Sequence, residues 1–188
     1  SASRADGITI DLNGHTVTGN NSSGEAGIKN TTGYDNVRIL NGRVVNFYRG
    51  VRLGNDADKN TISRLDVSQG GRGIEVTGGS DAVTGTDVSV TVTGDWPIVV
   101  DGSNAAKLDG VDVADAQTGI WLESVSGAKL PDVAVSESAQ LGILIRSSTK
   151  TTVTNSRFTR TNGTAVTVEG GSAGTVLKGV TVSGNDDL

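Results

Sequence analysis

Apolar residues recur along this chain with a period near 23. Ile28, Val51, Ile74, Ile98, Ile120, Ile143 and Val166 follow one another at spacings of 23, 23, 24, 22, 23 and 23. Just before each stands a small or turn-forming residue: Gly27, Gly50, Gly73, Pro97, Gly119, Gly142 and Ala165. Two positions on, a second apolar residue continues the alternation at Leu53, Val76, Val100, Leu122, Ile145 and Val168, with Asn30 the exception in the first unit. Alternation over so few residues marks a strand, and a fixed period of this length marks a solenoid.

A second register runs beside the first. Apolar pairs five apart occur at Ile62/Val67, Val83/Val88, Leu108/Val113, Leu130/Val135, Val153/Phe158 and Leu177/Val182. A third apolar residue often lies between them, as at Leu65, Val111, Val133 and Val180, and Leu12/Val17 and Ile39/Val44 follow the pattern less cleanly. Each unit therefore holds three short strand-like pieces. Gly, Asn, Asp and Ser fill the corners, where tight turns need positive φ or a capping side chain. A leucine-rich repeat has a similar period, but it expects Asn after the strand, where Gly70, Ala116 and Ser138 stand, and a helical back segment. The pattern predicts an all-β parallel β-helix, residues 1–188 forming one domain of about eight coils of 22–24 residues. Stacked at ~4.8 Å per coil, such a tube is roughly 40 Å long.

Composition agrees with a narrow interior. Aromatics are 3% of the 188 residues, so Val, Ile and Leu stacks must fill the tube. Cysteine is absent, which excludes disulfides, zinc fingers and a thiol nucleophile. Net charge is −5 with the basic residues scattered, which argues against nucleic acid as a partner. No apolar run approaches the length of a membrane span.

The segment from Ala5 to Val17, Ala-Asp-Gly-Ile-Thr-Ile-Asp-Leu-Asn-Gly-His-Thr-Val, resembles the opening coil of secreted right-handed β-helix proteins of the pectate-lyase-like superfamily. The later Gly-Ile-x-Val coils resemble the same family. The resemblance implies a right-handed coil, an extracellular location and, in the enzymes, a substrate cleft over the outward face of the first strand. It does not imply one activity, since the superfamily holds lyases, hydrolases, epimerases and tailspikes. Members usually carry terminal caps; here four residues precede Ala5 and the chain stops at Leu188. That departure implies a domain cut from a longer protein, or units that stack end to end. The catalytic signatures of the pectin hydrolases and alginate epimerases are not apparent. The single histidine, His15, reads as a structural residue of the opening coil.

Outward positions of the first strand read Arg52, Glu75, Val99, Trp121, Leu144, Thr167 and, two residues on, Gly54, Thr77, Asp101, Glu123, Arg146, Glu169. Trp121 is expected to be exposed beside Asp101, Glu123 and Arg146, with Trp96 on the same ledge. A tryptophan among carboxylates and an arginine can stack and hydrogen-bond sugar rings. Two carboxylates on adjacent coils also suit a retaining glycosidase. Against this stands a plain alternation of charge, Glu123, Arg146 and Glu169, beside an apolar strip of Val99, Trp121 and Leu144 covered by a partner. A second expected column is Asp66, Asp87 and Asp112, each preceding the last apolar residue of its pair. Solvated carboxylates are the favoured reading there and a Ca²⁺ ladder the alternative, the repeat having no Gly-Gly-x-Gly-x-Asp ligand loops. No other cofactor is implied. Two function classes result: an extracellular structural or adhesive module that self-associates through its coil ends or binds polysaccharide, and a polysaccharide-active lyase, hydrolase or epimerase, or a remnant of one.

Overall fold

The computed structural model of the chain describes residues 6–92, 94 and 96–184. Its strands are β1 (Thr9–Asp11), β2 (Thr16–Thr18), β3 (Ala26–Asn30), β4 (Arg38–Val45), β5 (Arg49–Leu53), β6 (Thr61–Ser68), β7 (Arg72–Val76), β8 (Thr84–Thr91), β9 (Ile98–Asp101) and β10 (Lys107–Ala114). They continue as β11 (Thr118–Glu123), β12 (Lys129–Pro131), β13 (Ala134–Ser136), β14 (Leu141–Arg146), β15 (Thr152–Thr154), β16 (Arg157–Thr159), β17 (Thr164–Glu169), β18 (Val176–Lys178) and β19 (Thr181–Ser183). All pairings are parallel, each strand bonding to its equivalent one coil away, which gives a solenoid of about seven turns. One sheet has the order β3-β5-β7-β9-β11-β14-β17. The other, of 12 strands, wraps the remaining two faces. Among the described residues no helix is long and apolar enough to cross a membrane.

The predicted interior column is present. Backbone register places Ile28, Val51, Ile74, Ile98, Ile120, Ile143 and Val166 above one another. Ile98, Ile120 and Ile143 are wholly buried. A second column runs Leu53, Val76, Val100, Leu122, Ile145, and a third Val44, Val67, Val90, Val113, Val135, Phe158. Each buried aliphatic removes apolar surface worth about 2 kcal/mol. Asn30, the exception of the first unit, is buried because both ends of its amide are satisfied: Nδ2 donates to the Tyr34 carbonyl (2.7 Å) and Oδ1 accepts the Tyr34 N–H (3.3 Å).

The glycines before the isoleucine column have a steric cause. At Gly119 an added Cβ would collide with Cγ1 of Val135 and lie 2.6 Å from the Gly142 carbonyl oxygen, so no side chain fits there. At Gly142 it would lie 2.7 Å from Cδ1 of Phe158, so the one large ring of the interior fits only over a bare backbone.

Two details differ from the pattern reading. The outer strands of β4, β6, β8 and β10 run as single eight-residue strands bent at a left-handed residue, at Asn41 (φ 57°), Arg64 (49°), Asp87 (53°) and Gly110 (59°). The β8 coil is also in a register two residues later than the apolar pair Val83/Val88 suggested. Ile62 pairs with Gly85 and Val67 with Val90, because Gly85 replaces the large residue that marks this position elsewhere. The predicted aspartate column falls with that register. Asp66 aligns with Ser89, which aligns with Asp112, while Asp87 sits at the bend between Arg64 and Gly110. Asp66 is ion-paired to Arg43 at 2.9 Å. Asp66, Asp87 and Asp112 therefore do not stack as a cation ladder, and among the described residues no group of three His, Cys, Asp or Glu side chains is placed to hold a metal ion.

A different acidic ladder exists at another corner. Asp35, Asp58 and Asp81 each accept, through Oδ1, the backbone N–H of the matching residue one coil on, at 2.9, 2.8 and 2.6 Å. Asp6 precedes them and Asn104 follows in the same role.

Candidate functional site: a groove on the first-strand face

Strands β7, β9, β11 and β14 present their outward side chains to one cavity of about 440 Å³, lined by Trp96, Asp101, Trp121, Glu123 and Arg146 together with Arg72 and Val99. All five residues singled out on this face come together there. The lining forms because parallel register sets like positions one coil apart: Glu123 pairs with Asp101 on one side and with Arg146 on the other.

Trp96 and Trp121 meet edge to face, with ring centroids 4.6 Å apart and planes at 84°. That T-shaped geometry sets the positive edge of one ring against the negative face of the other. Each ring also carries a guanidinium on its face: Arg72 over Trp96 at 4.9 Å and Arg146 over Trp121 at 5.2 Å. Trp121 is consequently only partly exposed, where the sequence suggested an open ring. Its indole Nε1 donates to Oε2 of Glu123 (2.9 Å), and the same oxygen accepts from Nε of Arg146 (2.7 Å). Arg146 thus commits to Glu123. It makes no ion pair with Glu169, so the alternating charge column has one closed pair and not a continuous ladder.

Asp101 has no hydrogen-bond or ion-pair partner among the described residues. Its carboxyl is pushed above the ordinary aspartate range, first by desolvation in the groove and then by the Glu123 charge, with Arg146 opposing. Two neighbouring carboxylates thus sit in different environments, one held by two donors and one unpaired.

Beside Arg72, but not among the residues that line the cavity, Glu75 is buried among arginines. Arg49 Nε lies 2.7 Å from Oε2, Arg72 Nη1 2.5 Å from the same oxygen, and Arg52 Nε 3.1 Å from Oε1. Burial alone would raise the Glu75 pKa, but the hydrogen bonds and charges of Arg49 and Arg72 outweigh it and hold the carboxyl below its usual range. This cluster anchors Arg72 under Trp96. Pattern reading placed Arg52 and Glu75 outward but missed the cluster, since Arg49 and Arg72 lie at the edge of the strand outside the alternating positions.

These features define a right-handed parallel β-helix protein with a preorganised aromatic and charged groove on its first-strand face. The family model described as right handed beta helix region matches residues 97–188. No curated protein matches the chain by sequence. Among solved structures, the DFA-IIIase of Arthrobacter chlorophenolicus A6 without its lid is similar over 97% of this chain and 60% of its own, with a TM-score of 0.60 and 13% identity. This chain thus spans about 60% of the length of that enzyme chain. The same enzyme in a second structure is matched over 100% of this chain and 59% of that one, with a TM-score of 0.47 and 12% identity. At such identity the likeness concerns the fold.

Proposed function

We propose that the groove over β7, β9, β11 and β14 binds glycan and that the chain belongs to a carbohydrate-active protein. The observation that carries this is the pairing of Trp96 and Trp121 in one cavity with Asp101, Glu123, Arg72 and Arg146. Aromatic faces receive the apolar face of a sugar ring, and fixed carboxylates and guanidinia receive its hydroxyls. The rings are held by guanidinia and hydrogen bonds before any ligand arrives, so binding orders few side chains. Fold likeness to a carbohydrate-active enzyme is in keeping with this reading but does not supply it.

Asp101 and Glu123 favour a catalytic form of the same proposal. A carboxyl with a raised pKa beside a carboxylate held by two donors is the division of labour that glycoside hydrolysis uses, the first protonating the leaving oxygen. An extracellular location accords with a glycan ligand. The structural or adhesive reading has its own motive, since Val168, Val176, Leu177, Val182 and, at the opposite end, Ile8 are exposed on the terminal coils. End-to-end association through those coils is compatible with glycan binding. The segments Ser1–Ala5 and Asp186–Leu188, which could fold over the ends, lie outside the described residues.

The test is retention on an array of neutral and uronate-containing linear oligosaccharides. Wild type should be retained by at least one class and Trp121→Ala should lose it with an unchanged far-UV spectrum. If wild type is retained by none, the glycan reading fails. Release of new reducing ends by wild type and not by Asp101→Asn would establish the catalytic form; unsaturated uronic ends would instead indicate a lyase.

A further inference from the structure

The charges around Glu75 do not balance. Parallel register sets Arg52 beside Glu75, and Arg49 beside Arg72, one coil apart. Like charges opposite each other on adjacent strands repel. Among the described residues the only carboxylate bonded to these three arginines is that of Glu75. Lys29 continues the same column one coil before Arg52; it is exposed and makes no ion pair among the described residues. Glu25, exposed on the coil before Arg49, is paired with none of the three. Asp95, which precedes Trp96 in the sequence, lies outside the described residues. Three guanidinium charges thus meet one carboxylate charge, with a fourth cation close by.

Most donors of the cluster are unspent. Glu75 Oε2 accepts from Arg49 Nε and from Arg72 Nη1, and these are the only hydrogen bonds the three guanidinia make among the described residues. Arg52 Nε lies 3.1 Å from Oε1 but is buried without a hydrogen bond, so charge alone holds Arg52. The outer nitrogens of Arg49 and Arg52, and Nε and Nη2 of Arg72, are uncommitted. Two of the three planes are already fixed, since Arg49 lies over the Tyr48 ring and Arg72 over the Trp96 ring, each at 4.9 Å. All three side chains reach solvent, Arg52 most of all.

We propose that the arginine cluster around Glu75 is a binding site for a tetrahedral oxyanion, sulfate or phosphate. A dianion matches the surplus of positive charge, and three guanidinia gathered about one point offer more donors than a planar carboxylate can accept. Guanidinia stacked on aromatic rings lose little freedom when the anion arrives. The site adjoins the groove through Arg72, which lines it, but stands whether or not the groove binds glycan.

The experiment is calorimetric titration of the folded chain with inorganic sulfate and inorganic phosphate at constant ionic strength. Concentrations stay below about 10 mM, where the general stabilisation of folded proteins by these anions is small. Wild type should bind both saturably, and acetate much more weakly. Arg52→Gln removes the guanidinium that no hydrogen bond holds and should weaken the anion by roughly tenfold, the loss of one charge-assisted contact. Glu75→Gln removes the competing carboxylate and should tighten it. Arg43→Gln, whose arginine is paired with Asp66 on another face, should change nothing. Should Glu75→Gln not fold, Arg52→Gln against Arg43→Gln decides. The source of the group is read by titrating glucose 6-sulfate and glucose 6-phosphate: tighter binding than the inorganic ion assigns it to a larger ligand, weaker binding to the free ion, and both outcomes support the site. No saturable binding of either inorganic anion, acetate bound as tightly as sulfate, or equal affinities in wild type and Arg52→Gln would overturn the proposal.

Discussion

Glu75→Gln tests how the groove is held. The substitution keeps the shape of the side chain and removes its charge. Glu75 is 3% exposed, while its partners Arg49, Arg52 and Arg72 are 16%, 37% and 25% exposed at the side chain. Removing one member of a buried ion cluster costs about 3–5 kcal/mol, because the partners are left buried and uncompensated. Here the arginines reach solvent, which puts the expected loss at the low end, about 3 kcal/mol. Sign follows from the lowered pKa. A carboxylate depressed in the folded state stabilises fully above its unfolded value, near 4.5, and loses that contribution as pH falls through the folded value. The difference between wild type and variant in urea unfolding should therefore be large at pH 7 and shrink steadily as pH drops below 4.5. Because Arg72 is released from its anchor under Trp96, tryptophan fluorescence of the folded variant should also shift. A variant as stable as wild type at pH 7, or a difference that does not change through the acid range, would refute the assigned role of the cluster.

Other substitutions probe separate parts of the account. Ile120→Ala removes a wholly buried side chain from the middle of the interior column and should cost about 3–4 kcal/mol in chemical unfolding, whereas a cost below 1 kcal/mol would mean that the stack is not close-packed. Asp58→Ala removes the acceptor for the Asp81 N–H and should cost about 1 kcal/mol, while Asp58→Asn keeps an acceptor, relieves repulsion with its neighbours and should be neutral or stabilising. Because desolvation and the Glu123 charge disfavour an ionised Asp101, Asp101→Asn should raise stability as pH rises above the ordinary aspartate range, with the gain vanishing in acid; thermal melts at several pH values decide it.

The interior was legible because strand alternation and a 23-residue period both constrain it: Ile74, Ile98, Ile120 and Ile143 could be stacked from the sequence, and they are stacked. The β8 coil was misread where the local residue departs from the period. Gly85 holds an inward position without an apolar side chain, so the pattern slid to Val83, carrying Asp87 into a column to which it does not belong. Trp96, Trp121, Asp101, Glu123 and Arg146 could be brought near one another by register alone. What register cannot supply is the direction taken by long side chains. The convergence of Arg49, Arg52 and Arg72 on Glu75 depends on rotamers across three coils. The Asp35, Asp58 and Asp81 ladder, in contrast, has the 23-residue spacing and was there to be found.

Both tryptophans of the chain line the groove, so intrinsic tryptophan fluorescence observes that face and no other part of the protein. The most direct test of the central claim is a fluorescence titration with an oligosaccharide that the protein retains. A saturable change in tryptophan emission, with a midpoint matching the affinity measured by retention and lost in Trp121→Ala, is the predicted result. A glycan that binds while leaving the emission of both tryptophans unchanged would contradict the account.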